Sequence, residues 1–233
     1  MSHELRTPLN AIIGFTEMMN RQIHGPMPDR YVDYINDVGI SGRHLLDLIN
    51  DLLDLARIEA DRFELKPSRF VVADLVSECV RTVTPQIQKK ALTVALSSPD
   101  PELEIEADER AVKQIVFNLL SNAIKFSRQD GRIDLAVTQD ESFYVRVAVA
   151  DDGDGIDPST IASIFEPFRQ GDHQVSIGSE GTGLGLHIAK RLAGLHGGTL
   201  SMKSQPGAGT TVTLLLPPMR VVGRTGTGDE KPP

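Results

Sequence analysis

The 233-residue sequence predicts an α+β protein, in which an N-terminal helical hairpin precedes an α/β sandwich with a mixed sheet. Up to residue 60 the apolar residues recur at helical spacing, with one interruption rich in glycine and proline. From residue 70 onward, alternating apolar runs typical of strands are interleaved with further helical patterns. Helices that cover one face of a sheet make a two-layer domain, so we expect a sandwich there.

The hairpin is predicted to span residues 1–60, with its turn at residues 24–28, where one glycine and two prolines cannot continue a helix. Asp29 is the expected N-cap of the second helix. That helix carries apolar or small residues at alternating steps of four and three, at Tyr31, Ile35, Val38, Gly42, Leu45, Ile49, Leu52 and Ala56. This heptad pattern predicts a dimeric four-helix bundle made from two hairpins.

The C-terminal domain is predicted to span residues 70–217, after a linker at 61–69. A helix should begin at Ala73 and should kink or end at Pro85, and Asp108 should cap a long helix that runs to about Phe126. Strands are expected at 93–96, 103–106, 133–137, 145–149, 199–204 and 210–216. The tail at 218–233 is rich in glycine, proline and threonine and is predicted to be disordered.

Composition excludes several classes of function. The 24 basic residues against 32 acidic ones give a net charge of −8, which disfavours non-specific nucleic-acid binding. The single cysteine, Cys79, excludes an internal disulfide and a multi-cysteine metal site. No apolar run approaches the roughly 20 residues that cross a bilayer, so we expect this part to be soluble and without membrane contact.

His3 is a candidate nucleophile near the start of the first helix. Helical spacing places His3 and Thr7 on the side opposite the apolar stripe, and Glu4 can hydrogen-bond one ring nitrogen and leave the other free. The alternative is an ordinary surface histidine near a chain end.

A second candidate group lies on the long helix. Asn118, Asn122 and Lys125 are four and three residues apart and therefore share one face. Amide oxygens suit Mg²⁺, which also takes phosphate oxygens as ligands, and a lysine adds charge for phosphates. A polar helix face in water is the alternative.

Two glycine-rich segments complete the candidate site. Asp151 ends a strand before Gly153 and Gly155, where its carboxylate could accept a hydrogen bond from an exocyclic amine. An acidic turn is the alternative; a calcium loop is disfavoured because Ala162 occupies its twelfth position. Residues 181–185 open a helix whose backbone N–H groups could bind phosphates, unless they form a simple capping turn.

In this order along the chain, these segments resemble the boxes of sensor histidine kinases. The segment 2–10 is similar to the phosphoacceptor box, 118–126 to the asparagine box, and 149–156 and 180–189 to the two glycine boxes. The phenylalanine box has its counterpart at 164–170, followed by a segment that corresponds to the ATP lid. The resemblance implies that His3 accepts the γ-phosphoryl group of ATP, that Glu4 is its base, and that Thr7 positions a water molecule for dephosphorylation of a partner.

The resemblance also implies the nucleotide site. Asn118 and Asn122 would bind Mg²⁺ and phosphates, Asp151 would bind the adenine amino group, and Arg169 would contact the γ-phosphate. The other residues assigned to the ATP site are Lys125, Phe126, Gly153, Gly155, Ile156, Gly181, Thr182, Gly183, Leu184 and Gly185.

The activity implied is autophosphorylation of His3 followed by transfer to an aspartate of a response regulator, with a phosphatase activity toward that regulator. The implied cofactors are ATP and Mg²⁺, and the implied partners are a second copy of the chain and a receiver domain. We expect a cytoplasmic portion of a longer protein that membrane segments upstream could anchor. The alternatives are a nucleotide-sensing scaffold and a gyrase-type ATPase; the latter is disfavoured because Asn118 stands where those enzymes carry a glutamate that activates water.

Overall fold

The computed structural model describes residues 2–23, 25–60, 62–168 and 182–222, and of residues 2–5 the backbone. The chain divides into two compact units. The first comprises Met1–Glu64 with Ser163–Ile188, and the second comprises Leu65–Ala162 with Ala189–Pro233. The predicted boundaries, which place 163–188 in the C-terminal domain, stay a prediction.

The hairpin consists of α1, Ser2–Asn20, and α2, Asp29–Glu59. Two glycines let the helices approach closely, since a Cβ at Gly42 would lie 3.2 Å from Cγ1 of Ile13 and one at Gly39 would lie 3.1 Å from Oγ1 of Thr16. Asp29 is the first residue of α2 rather than its N-cap, which is Pro28, and no side chain caps this end. The proline fixes an extended conformation there and has no side-chain acceptor to offer.

One stripe of α2 remains about half exposed in the single chain. Its members are seven residues apart and apolar, with exposed fractions of 58%, 49%, 49% and 52% for Tyr31, Val38, Leu45 and Leu52. We call these four residues the heptad stripe. Apolar side chains at this spacing are typical of a helix that packs on another helix.

The second unit contains a five-stranded sheet in the order β2-β4-β5-β7-β6 and a two-stranded sheet in which β1 pairs with β3. β2 runs parallel to β4 and the other pairs are antiparallel, so the predicted mixed sheet is confirmed. The strands are β1 Ser68–Val71, β2 Thr93–Ser97, β3 Glu104–Ala107, β4 Arg132–Gln139, β5 Val145–Asp151, β6 Thr199–Gln205 and β7 Gly209–Leu216. The helices that follow the hairpin are α3 Val72–Lys89, α4 Glu109–Phe126, the short α5 Ile161–Ile164 and α6 Gly185–Leu195. α3 and α4 belong to the second unit, and the division between the units falls within α5 and within α6.

The core lies between the sheet and the helices. Over residues 133–137 of β4 and 145–149 of β5 every second residue is buried, including Ile133, Leu135 and Val147, while their neighbours are partly or fully exposed. The apolar side of α4, with Ile115 and Leu119, is buried as well. Alternation in the strands and helical spacing in α4 therefore produce the predicted two layers.

Three expectations need correction. α3 does not end at Pro85 but continues to Lys89, because Pro85 lies on the exposed side of the helix while Val83 and Ile87 lie on its buried side. A kink at Pro85 stays a prediction. Residues 68 and 69, which we assign to the linker, begin β1 because they pair with β3. Residues 218–222 of the predicted disordered tail are ordered: Val221 bridges to Ile105, and the remaining tail residues lie outside the described part.

Candidate functional site

The helix that carries the asparagines, α4, is anchored at its N-terminus by Asp108. The carboxylate accepts hydrogen bonds from the amides of Ala111 at 3.1 Å and Lys66 at 2.9 Å. Burial alone would raise the pKa of Asp108. Hydrogen bonds from backbone amides, mainly those of Lys66 and Ala111, outweigh this effect and hold the pKa below its usual range. The N-cap predicted from the sequence is confirmed.

Asn118 and Asn122 lie one turn apart on α4 and are half-buried. Lys125 follows near the end of the helix, where its ammonium nitrogen lies 5.0 Å from the centre of the Phe126 ring. The sequence pattern therefore places two amide oxygens and one cation along a single helix face, at the edge of the buried apolar side.

The loop after β5 begins with Asp151, whose Oδ1 accepts a hydrogen bond from the amide of Gly153 at 2.9 Å. Burial raises the pKa of Asp151, and the bond from Gly153 opposes this shift. A Cβ at Gly153 would collide with the carbonyl oxygen of Phe126. The loop thus lies directly against the C-terminal end of α4, which brings the carboxylate of Asp151 close to the end of the helix that carries the asparagines.

The same loop is held from its other side by the β6–β7 hairpin. The amide of Ile156 donates to Oγ of Ser204 at 2.8 Å, and the amide of Gly207 donates to the carbonyl of Asp154 at 2.7 Å. Gly155 has a φ of +70°, and a Cβ there would collide with the carbonyl of Gln205. Ser204 is a site residue that the sequence patterns missed, because its partner lies 48 positions earlier in the chain.

In the first unit, Thr182 lies just before α6, and its hydroxyl makes two contacts. Oγ1 donates to Oδ2 of Asp51 at 2.7 Å and accepts from the amide of Leu184 at 3.1 Å. Gly183 has a φ of +70°, and Gly185 begins α6. Burial raises the pKa of Asp51. No local spacing in the sequence pointed to Asp51 as the partner of Thr182. Arg169 and Gly181, which the sequence assigns to the ATP site, lie outside the described residues.

His3 and Glu4 lie in the first turns of α1, of which the structure describes only the backbone there. Thr7 follows His3 by one helical turn and is exposed. Pro8 lies inside α1, so the carbonyl of Glu4 receives no helical hydrogen bond from that position. His3 and Thr7 thus lie in the predicted helix, and that His3 faces away from the apolar stripe stays a prediction.

Within the described ranges no three His, Cys, Asp or Glu side chains converge on a possible metal position. The amide oxygens of Asn118 and Asn122 are hard ligands of the kind that suits Mg²⁺ beside phosphate groups. None of the helices in the described part combines the length and hydropathy needed to traverse a bilayer.

Two family models match the chain. Residues 1–61 match the His Kinase A phospho-acceptor domain, and residues 107–220 match the histidine kinase-, DNA gyrase B- and HSP90-like ATPase. The first match contains α1 and α2, and the second contains α4, the loop after β5 and the β6–β7 hairpin.

Similar proteins include the histidine protein kinase DivJ of Caulobacter vibrioides, 43% identical over 93% of this chain and 36% of DivJ. The structure is similar to full-length ShkA in complex with AMPPNP, with a TM-score of 0.78 and 32% identity over 95% of this chain and 45% of ShkA. It is also similar to the histidine kinase ThkA in complex with the response regulator protein TrrA, with a TM-score of 0.66 and 25% identity over 92% of this chain and 59% of ThkA.

The chain thus spans about a third of the length of DivJ and somewhat less than half of ShkA. Its two matched segments follow each other in the order that the sequence motifs predict, with the histidine in the first and the asparagines in the second. The chain belongs to the sensor histidine kinases and represents their catalytic core.

Proposed function

We propose that this chain transfers the γ-phosphoryl group of ATP to His3 and then to an aspartate of a response regulator. The observation that carries the proposal is the contact between the end of α4 and the loop after β5, where the carbonyl of Phe126 lies against Gly153. This contact sets a carboxylate suited to adenine beside a helix face suited to phosphates.

Nucleotide binding would divide between these two elements. The carboxylate of Asp151 accepts a hydrogen bond from the exocyclic amine of adenine, and the amide of Gly153 already orients that carboxylate. Asn118, Asn122 and Lys125 hold the phosphate end, where the asparagine oxygens fit a magnesium ion. When bound, Mg²⁺ would neutralise phosphate charge, which favours transfer.

The transfer itself needs a nucleophile and a base. A ring nitrogen of His3 forms a bond to the γ-phosphorus, while the bond from that phosphorus to the β–γ bridging oxygen breaks and ADP leaves. Glu4 orients the imidazole and takes its proton. Asn118 cannot act as a general base, so attack by water on ATP is disfavoured.

Two partners follow from this function. A receiver domain would approach α1, where exposed Thr7 lies one turn from His3 and could position water for dephosphorylation of the regulator. The complex of ThkA with TrrA supports this kind of partner. A second copy of the chain would cover the heptad stripe of α2 and complete a four-helix bundle.

We place the activity in the cytoplasm, because ATP is supplied there.

Labelled ATP tests the proposal. The wild-type chain should retain γ-label, whereas His3→Gln should retain none and bind ATP as tightly as wild type. Glu4→Gln should bind ATP normally and label slowly. His44→Gln is the matched control on α2 and should label normally.

Three results would overturn the proposal in different ways. Label retained by His3→Gln would refute the phosphoacceptor. Nucleotide binding without any label on the wild type would favour a nucleotide-sensing scaffold, and rapid release of inorganic phosphate without label would favour a hydrolytic ATPase.

A further inference from the structure

Lys90 follows the last residue of α3 and makes an unusual set of contacts at the far end of α4. Its half-buried ammonium nitrogen donates to the carbonyl oxygens of Ile124 at 2.9 Å, Lys125 at 2.8 Å and Ser127 at 3.0 Å. An ammonium has three N–H donors, so these three carbonyls use its whole capacity.

The position of this ammonium has a clear physical effect. The last carbonyls of a helix have no intrahelical partner and carry the negative end of the helix dipole. A lysine cation therefore satisfies and neutralises the end of α4. Hydrogen bonds from a charged donor are also stronger than neutral ones, so Lys90 fixes the last turn firmly.

The main chain around Lys90 is itself fixed to the segment that follows α4. The carbonyl of Lys90 accepts from the amide of Asp130 at 3.1 Å, and the amide of Thr93 donates to the carbonyl of Gly131 at 2.9 Å. The backbone that carries the Lys90 side chain is therefore held in place next to the segment that follows α4.

The turn that Lys90 holds is the turn that the proposed nucleotide site uses. It carries Lys125 and Phe126, with Asn122 one turn earlier. The carbonyl of Phe126 lies against Gly153, whose amide orients Asp151. A shift of this turn would therefore change the spacing between the phosphate face of α4 and the adenine carboxylate.

We propose that Lys90 is a positioning residue for the nucleotide: by binding the carbonyls at the end of α4, it sets the distance between the phosphate-binding helix face and Asp151. This inference rests on the proposed function. Lys90 itself touches no reacting atom.

Lys90→Met tests the inference, because methionine keeps most of the aliphatic stem and removes the three donors. We expect the dissociation constant for Mg-ATP, measured by calorimetry on the folded chain, to rise about tenfold or more. In the labelling reaction the half-saturating ATP concentration should rise similarly, while the rate at saturating ATP stays within about threefold. Loss of folded protein would instead lower the labelled fraction and leave half-saturation unchanged.

Two variants sharpen the result. Lys90→Arg keeps charged donors and should recover much of the lost affinity. Lys89→Met removes the neighbouring exposed lysine at the end of α3 and should bind like wild type. The inference is overturned if Lys90→Met binds Mg-ATP like wild type, or if Lys90→Arg is as weak as Lys90→Met. Failure of the wild type to bind Mg-ATP would overturn the proposed function and this inference with it.

Discussion

Asp151 combines a structural and a chemical constraint in one carboxyl group. Its Oδ1 is held by the amide of Gly153, and burial raises its pKa. When folding raises the pKa of a carboxyl group, that group stabilises the folded state most at pH values below its pKa in the unfolded chain. This stabilisation is lost as the pH rises through the pKa of the group in the folded state. At neutral pH the carboxylate therefore costs stability, which is consistent with a residue kept for binding.

Asp151→Asn separates the two constraints. The amide oxygen can still accept from Gly153, and no charge is buried, so we expect the free energy of unfolding at pH 7 to be unchanged or higher. Affinity for ATP should fall by about tenfold to a hundredfold, because a charge-assisted bond to adenine is lost. Urea unfolding and calorimetric titration measure the two quantities. Asp154→Asn, an exposed change in the same loop, is the control; equal affinity of Asp151→Asn and wild type would refute the role of Asp151 in adenine binding.

At the scale of elements, the loop after β5 and the end of α4 form one assembly. Gly153→Ala should disrupt it, because the new Cβ would collide with the carbonyl of Phe126, and a backbone atom cannot move aside cheaply. We expect a loss of about 1–3 kcal/mol in the free energy of unfolding. ATP affinity should fall about tenfold or more, since both halves of the site share this contact.

Gly194→Ala is the matched control on α6, where a Cβ would meet nothing within 4 Å. It should stabilise the chain by about 0.4–1 kcal/mol through the unfolded state and leave ATP affinity unchanged. Thermal unfolding and calorimetry compare the two variants. Normal ATP binding by folded Gly153→Ala would show that the contact is dispensable.

Elements with regular patterns were predictable from the sequence, whereas contacts across long sequence separations were not. The periodicity of α4, its cap at Asp108 and the alternation in β4 and β5 are local signals, and the structure confirms them. The bonds of Lys90 to the end of α4 join residues 34 to 37 positions apart, and no local pattern encodes them. Pro85 does not end α3, because the burial of Val83 and Ile87 outweighs the hydrogen bond that the proline removes from the helix.

At the scale of the whole molecule, the heptad stripe predicts that the active form is a dimer. The double variant Val38→Glu with Leu45→Glu places two charges in the expected interface, where they would be desolvated. We therefore expect this variant to be monomeric and the wild type to be dimeric. Light scattering after size-exclusion chromatography, at one protein concentration, measures the mass. Ile40→Glu is the control: Ile40 is 51% exposed but lies on another side of α2.

A monomeric wild type at micromolar concentration would contradict the dimer, and so would a double variant that keeps the dimeric mass. The site residues in the second unit do not depend on this outcome, because α4 and the loop after β5 belong to the same unit.

The most direct measurement for the central claim is the location and chemistry of the phosphoryl group after incubation with Mg-ATP. Peptide mapping of the wild-type chain under basic conditions should place one phosphoryl group on the peptide that contains His3. That group should be lost in mild acid and retained in base, as expected for a phosphorus–nitrogen bond. A phosphoryl group on any other peptide, or one that survives acid, would contradict the account.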